Sequence, residues 1–360
     1  MTSFEVKNAI NITDPALYEP FDILLPVIKA EMDANTAVEL QYADDYAGYA
    51  NMWKNKHGEA ESLKALHVVE KKQAQEAELT KWINADPERQ KKYGKCLAKI
   101  EKVCNELDGD AYRAVMNANL CLYGCPTLMT AFSIRNSLRL EDKQKSFSEE
   151  KIAKVLAQYD KALANKDVNT EIKTILATFK TWERLPEGKR VDVQGIVNKY
   201  FKGNQDAFEN AVANSIFVSH ENLEKYLRKP NAKTLQNDPL SLYMNEIFTL
   251  FLANQQVLSS DSKMEVARRQ YIAAIKEMKA ATPIYPDANS TMRTTYGTVC
   301  DYYPADGVHY NYFTTTKGIL EKEIPGDPEF DVSPKLKQLI LNKDFGQYAD
   351  KDGTLHVCFL

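Results

Sequence analysis

Five histidines, six cysteines and a Ser/Thr/Arg-rich run near residue 290 are the side chains here whose chemistry could go beyond packing. His57, His67, His220, His309 and His356 form no H-E-x-x-H, and His220-Glu221 lacks the second histidine that a helical zinc site places one turn on. The sequence holds no G-x-S-x-G elbow, no phosphate-binding G-x-x-x-x-G-K-[ST] loop and no G-x-G-x-x-G turn. A cysteine–histidine dyad forms in space rather than in sequence, so His309 or His356 with Cys300 or Cys358 stays open as an independent hydrolase. Cys121 and Cys125 sit four apart on an expected helix and share a face. No further ligand lies near them, so they read as buried thiols rather than a metal pair, and no cofactor is expected. Ser290 has no local elbow or base and is not an evident nucleophile.

A second candidate lies on the helix expected over 36–56. Tyr42, Tyr46, Tyr49 and Trp53 recur at intervals of 4, 3 and 4 residues. At about 100° per residue they form one aromatic stripe, which reads as a packing face. Asp44, Gly48, Asn51 and Asn55 fall on the opposite face. Glycine inside a helix costs about 1 kcal/mol relative to alanine, so Gly48 marks a place where another backbone or a ligand comes close. An asparagine oxygen one turn away can accept hydrogen bonds from a cation such as an ammonium group. An ordinary solvated face is the plainer reading of the same residues.

The elements that must position these residues are mostly helical. The chain has 360 residues, a net charge of −4 and 44% hydrophobic content, which suits two globular domains. Lys and Arg alternate with Asp and Glu along helical faces, so no basic stripe suggests nucleic acid. The first residues lack a signal-peptide pattern, and no apolar run approaches the ~18 residues of a membrane span. Thr2-Ser3-Phe4-Glu5 resembles a capping box. Asp14-Pro15 is expected to break that helix, with Pro20 and Pro26 allowing only short turns to about residue 27. Asn35-Thr36 caps the helix over 36–56, His57-Gly58 ends it, and a charged helix follows over 59–84. Asp86-Pro87 and Asp238-Pro239 are start signals. Helices are expected over 88–107, 110–122, 148–164, 169–184, 205–219, 239–258 and 261–280, with breaks at Pro126 and 185–190. From residue 283 the texture changes to strands over 290–300, 308–315 and 355–360, turns at Asp306-Gly307 and Asp352-Gly353, and one helix over 334–342.

Residues 285–297, Y-P-D-A-N-S-T-M-R-T-T-Y-G, resemble a signature of the bacterial serine dipeptidyl-peptidases of the dipeptidyl-peptidase 7/11 type. F-T-T-T-K-G-I-L-E-K at 313–322, F-D-V at 330–332, V-C-F-L at 357–360 and N-M-W-K-N at 51–55 extend the resemblance. It implies a chymotrypsin-like double β-barrel with an inserted helical domain that caps the cleft. The chain would then be mainly α, with a helical cap domain over 1–282 and a partial C-terminal β-barrel domain over 283–360. It implies release of dipeptides from peptides with a free N-terminus, the α-amino group being held by Asn51, with Asn55 as fallback. It further implies a periplasmic, cell-surface or secreted parent, and a homodimer for the full-length enzyme. The triad His and Asp would precede Met1 and the Ser would follow Leu360, so no catalytic residue is expected in this chain and no turnover by it alone. A non-catalytic helical module that binds peptides or partners by itself is the alternative. Neither acidic nor hydrophobic preference at the second substrate residue can be read from these residues.

Overall fold

A computed structural model describes residues 1–138, 146–282, 290–327 and 329–357. The chain divides into two compact units, Met1–Ile284 and Tyr285–Leu360.

The first unit is helical throughout its described residues. It begins with α1 (Ser3–Asn8), a π-helical turn over Ala9–Thr13, α2 (Asp14–Tyr18), α3 (Phe21–Ala34), α4 (Thr36–Ala65) and α5 (Val68–Asn84). Next come α6 (Pro87–Tyr93), α7 (Cys96–Asn105), α8 (Gly109–Tyr123), α9 (Pro126–Ile134), α10 (Glu149–Leu163) and α11 (Val168–Thr181). It closes with α12 (Val193–Phe201), α13 (Gln205–Ala213), α14 (His220–Arg228), α15 (Ala232–Asn237), α16 (Pro239–Asn254) and α17 (Ser260–Met278). Polar caps set many of the starts. Thr2 and Glu5 form the expected capping box, Asn35 accepts from Ala37 N, and Asp86 accepts from Glu88 N and Arg89 N. The largest core runs between α8, α9, α11 and α16. It includes the buried Trp182, whose indole N–H donates to the Tyr243 hydroxyl at 2.7 Å while Phe179 meets the Tyr243 ring edge-on at 4.6 Å.

Several expected boundaries are corrected, each for a tertiary reason. Asp14-Pro15 opens α2 instead of breaking the helical path, with proline in the first turn where its missing N–H costs nothing. Pro26 lies inside α3. Pro26 is exposed, while Phe21, Leu24, Leu25, Ile28 and Met32 bury the opposite face. Burying such side chains is worth about 1.5–3 kcal/mol each, which outweighs the ~3 kcal/mol cost of an interior proline.

His57-Gly58 does not end α4, which continues to Ala65. There His57 stacks on Trp53 at 4.9 Å, Tyr18 meets its ring edge-on at 5.0 Å, and Ala60 is wholly buried. The break falls instead at His67, held left-handed at φ 50°. The helix expected over 88–107 is two helices bent at Gly94, and the one expected over 205–219 stops at Ala213. Pro126 starts α9, and α12, α14 and α15 were not anticipated.

In the second unit β1 (Tyr302–Ala305) and β2 (Val308–Tyr310) pair antiparallel across Asp306-Gly307, where Gly307 takes φ 75°. β3 (Thr314–Thr315) pairs antiparallel with β4 (His356–Val357), Thr314 opposite Val357. Between these strands run α18 (Thr316–Glu321) and α19 (Pro334–Asn342), the latter as expected. The strand expected over 290–300 is absent. Residues 291–300 are exposed and join no strand ladder among the described residues, since a Thr- and Tyr-rich segment becomes a strand only beside a strand partner. Among the described residues the sheets are two-stranded. Residues 285–289 of the signature segment and 358–360 of the expected terminal strand, including Cys358, lie outside the described residues.

Candidate functional site

Helix α4 carries both faces of the argument. Its aromatic stripe is a packing face: Tyr42 and Tyr49 are buried against α3 and Trp53 is partly buried there. Each ring also spends its polar atom locally. Tyr49 donates to the Tyr123 carbonyl at 3.0 Å, and Trp53 donates to Asp22 Oδ1 at 2.8 Å. The Tyr42 hydroxyl donates to Glu171 Oε1 at 2.7 Å.

The opposite face lines an open cleft of about 610 Å³. Asp44, Gly48 and Asn51 of that face form one wall together with Asp45, Ala47 and the edge of the stripe at Tyr49. The other comes from Tyr123 at the end of α8, Pro126, Met129 and Thr130 of α9, and Ala162 of α10. Gly48 was expected to mark a close backbone approach. The nearest atom to an added Cβ is the Tyr123 hydroxyl at 4.0 Å, so the glycine keeps that wall low instead. Asn51 is exposed and its side chain makes no hydrogen bond among the described residues, leaving a carboxamide with two donors and an acceptor available. Asp44 likewise has no ion-pair partner among them, whereas its neighbour Asp45 is paired with Lys166. Asn55 is exposed and is not part of the cleft lining. The cleft therefore offers a free carboxamide oxygen and a free carboxylate about 10 Å apart along the helix, from 1.5 Å of rise per residue.

Beneath the cleft floor sits a residue that sequence reasoning missed. Glu171 of α11 is 2% exposed. Its Oε2 accepts from Thr127 N at 2.8 Å, in the first turn of α9, where Cys125 supplies no side-chain cap. Cys125 Sγ approaches the same oxygen at 3.8 Å. Burial pushes the Glu171 carboxyl above the usual range, against the hydrogen bonds from Thr127 and Tyr42 that favour its charged form. Burial and the Glu171 charge together hold the Tyr42 hydroxyl protonated. Lys166 stands near, donating to the Gln41 carbonyl at 2.9 Å and lying 4.7 Å from the Tyr42 ring centre. A signal did exist in the sequence: Glu171, Ile175, Thr178 and Trp182 follow at 4, 3 and 4 residues, a carboxylate on an apolar stripe.

The remaining candidates are drawn apart. Cys121 and Cys125 are fully buried; burial pushes the Cys121 thiol up to about 11 and the Cys125 thiol well above its ordinary value. Neither is a nucleophile. In the second unit His309 Nε2 lies 2.5 Å from Asp301 Oδ2 and its ring stacks on Tyr303 at 4.5 Å. His356 stacks on Phe313 at 3.7 Å with Nδ1 3.3 Å from Asp350. Among the described residues neither histidine bonds a serine hydroxyl or a thiol, so the cysteine–histidine dyad with Cys300 is not formed. His220 Nδ1 is 2.6 Å from Asp160 Oδ1 on the surface of the helical unit. Among the described residues no cluster of His, Cys, Asp or Glu could hold a metal ion, and no helix is long and apolar enough to cross a membrane.

Comparison with known proteins shows the family. The model of the peptidase S46 family matches residues 1–360. Dipeptidyl-peptidase 7 of Phocaeicola vulgatus is 34% identical, with 100% of this chain and 50% of the relative covered. An Asp/Glu-specific dipeptidyl-peptidase of Capnocytophaga gingivalis is 30% identical, with 100% and 51% covered. The chain spans about half the length of the curated relatives it matches. The crystal structure of Porphyromonas endodontalis DPP11 in complex with the dipeptide Arg-Glu superposes with a TM-score of 0.77 at 26% identity, covering 99% of this chain and 51% of that one.

Proposed function

The chain belongs to the peptidase S46 family, and from that premise we propose that it supplies the helical, substrate-amine-binding part of a serine-type dipeptidyl-peptidase, a hydrolase that releases dipeptides from the N-termini of peptides. The observation that carries this reading is Asn51, an unengaged carboxamide on the wall of the α4–α9 cleft. An N-terminal ammonium brings three charged donors to a carboxamide oxygen, whereas an acylated N-terminus brings a single neutral N–H and so a weaker bond. The Asp44 carboxylate in the same cleft adds a negative potential that favours a cation over a neutral amide. Holding the amine fixes how far the chain reaches, which limits cleavage to the second residue. In such enzymes a serine attacks that carbonyl, a histidine serves as base and then acid, and an aspartate orients the histidine. We assign none of these three roles to a residue of this chain. The second unit is read as part of a β-barrel domain of a periplasmic, cell-surface or secreted enzyme that acts as a homodimer.

The test is a titration of the chain with the tripeptide Ala-Leu-Ala and with its N-acetyl form, followed by NMR. A hydrogen bond to a charged group in this exposed cleft corresponds to about tenfold tighter binding of the free amine. Asn51→Ala removes that preference, and Asn55→Ala leaves it. Equal affinity for the two peptides would refute the reading, and loss of preference in the Asn55 variant alone would move the role to the fallback position.

A further inference from the structure

The two walls of the cleft belong to helices with no covalent reason to keep their spacing. The α4 wall carries Asp44, Gly48 and Asn51, and the α9 wall carries Pro126, Met129 and Thr130. One buried carboxylate touches both helices. Glu171 Oε1 accepts from Tyr42 of α4 at 2.7 Å, and Oε2 accepts from Thr127 N of α9 at 2.8 Å. We propose that Glu171 is a positioning residue that joins the walls of the α4–α9 cleft through Tyr42 and Thr127 and so sets its affinity for an N-terminal amine. The inference rests on the amine-binding reading of the cleft given above.

Three features make Glu171 a tie rather than a chance burial. The carboxylate is 2% exposed, so water does not compete for its oxygens. It replaces the cap that α9 lacks, since Cys125 offers no side-chain bond to the first turn. It also grips α4 two residues before Asp44 and nine before Asn51, so a slackened Tyr42 moves the cleft wall itself. Lys166 reinforces the same joint through the Gln41 carbonyl and Asp45. Tyr49 adds a second strut to the Tyr123 carbonyl at 3.0 Å.

The chemistry of the tie predicts an ordering that a purely structural role does not. Thr127 N–H can only donate, so it needs an oxygen. The Tyr42 hydroxyl can turn round: it can accept from an amide N–H while donating to the Asp167 carbonyl, 3.3 Å away. Glutamine at 171 can therefore keep both links, and alanine keeps neither. Phenylalanine at 42 cuts only the link to α4 and leaves α9 capped.

The experiment titrates Ala-Leu-Ala and its N-acetyl form into the wild type, Glu171→Ala, Glu171→Gln, Tyr42→Phe and Asn51→Ala, well below each variant's unfolding temperature. Amide exchange at Thr127 is followed in parallel. Loosening the wall that carries Asn51 can cost at most what the amine contact is worth, so free-amine binding is expected to weaken by up to about tenfold. Tyr42→Phe is expected to weaken binding by that factor with slow exchange retained at Thr127. Glu171→Ala weakens it at least as much and accelerates that exchange, and Glu171→Gln rescues most of both. Should Glu171→Ala fail to fold, Tyr42→Phe and Glu171→Gln carry the comparison. Wild-type affinity in Tyr42→Phe, with Asn51→Ala still losing the amine preference, overturns the positioning role and leaves the amine site standing. No preference for the free amine in the wild type removes the reading of the cleft and this inference with it.

Discussion

Asp238 is the sharpest place to test how one carboxylate holds two segments at once. It caps α16 by accepting from Leu240 N at 3.0 Å and Ser241 N at 3.2 Å. The same group accepts from Ser215 Oγ at 3.0 Å and Ile216 N at 2.9 Å, which belong to the chain before α14. It is 6% exposed, so replacement by alanine strands these donors out of reach of water. Loss of the cap costs about 1 kcal/mol, and the orphaned Ile216 N–H about 1–3 kcal/mol more. Burial raises the Asp238 pKa, so desolvation of the charge already offsets part of what these bonds contribute. The expected net loss for Asp238→Ala is therefore about 2–3 kcal/mol. Asparagine keeps an oxygen for Leu240 and Ser241 but turns an N–H toward Ile216, so Asp238→Asn should cost about 1–2 kcal/mol. All three tryptophans, Trp53, Trp82 and Trp182, lie in the helical unit, so urea unfolding followed by tryptophan fluorescence reports on it. Equal losses for the two variants, or a loss below about 1 kcal/mol for alanine, would refute the double role.

Four further outcomes follow from the same geometry. Burial lifts the Glu171 pKa above 4.5, so the folded state binds that proton more tightly than the unfolded one, and stability falls as pH rises from 4.5 toward the folded pKa. Glu171→Gln removes this slope, and parallel stability–pH profiles for the two proteins would contradict it. Pro26→Ala restores a hydrogen bond on the exposed side of α3 and is expected to raise stability by about 1 kcal/mol, net of the looser unfolded chain; a loss in urea unfolding would show the proline is needed. His67→Gly relieves the left-handed residue between α4 and α5 and should be stabilising or neutral, within about 1 kcal/mol, whereas His67→Ala should not. The histidines that bond side chains among the described residues meet carboxylates, not a serine hydroxyl or thiol, so the purified chain is expected to release no dipeptide from a fluorogenic dipeptidyl reporter, and turnover that survives rigorous removal of contaminating peptidases would overturn that expectation.

What could be read from the sequence was what its local rules control. Thr2 with Glu5, Asn35, Asp86 and Asp238 were legible as helix starts because a cap acts over two or three residues. The two faces of α4 were legible because periodicity is local too, and the aromatic stripe does pack while Asn51 does line a cleft. Pro26 and Gly58 misled because a breaker's cost is a local sum, and burial of Leu24, Ile28 and Ala60 against other helices outweighs it. Pro126 misled for a deeper reason. A break and a helix start look alike when no Ser, Thr, Asp or Asn precedes the proline, and here the group that satisfies the first turn of α9 is Glu171, 44 residues away in sequence. The facing wall of the cleft was invisible for the same cause, since its position depends on that distant carboxylate. A buried acid interrupting the apolar stripe of α11 was thus the one local trace of a non-local cap. A carboxylate is buried only where donors meet it, so such a residue points to donors held by another segment, here the Thr127 N–H and the Tyr42 hydroxyl.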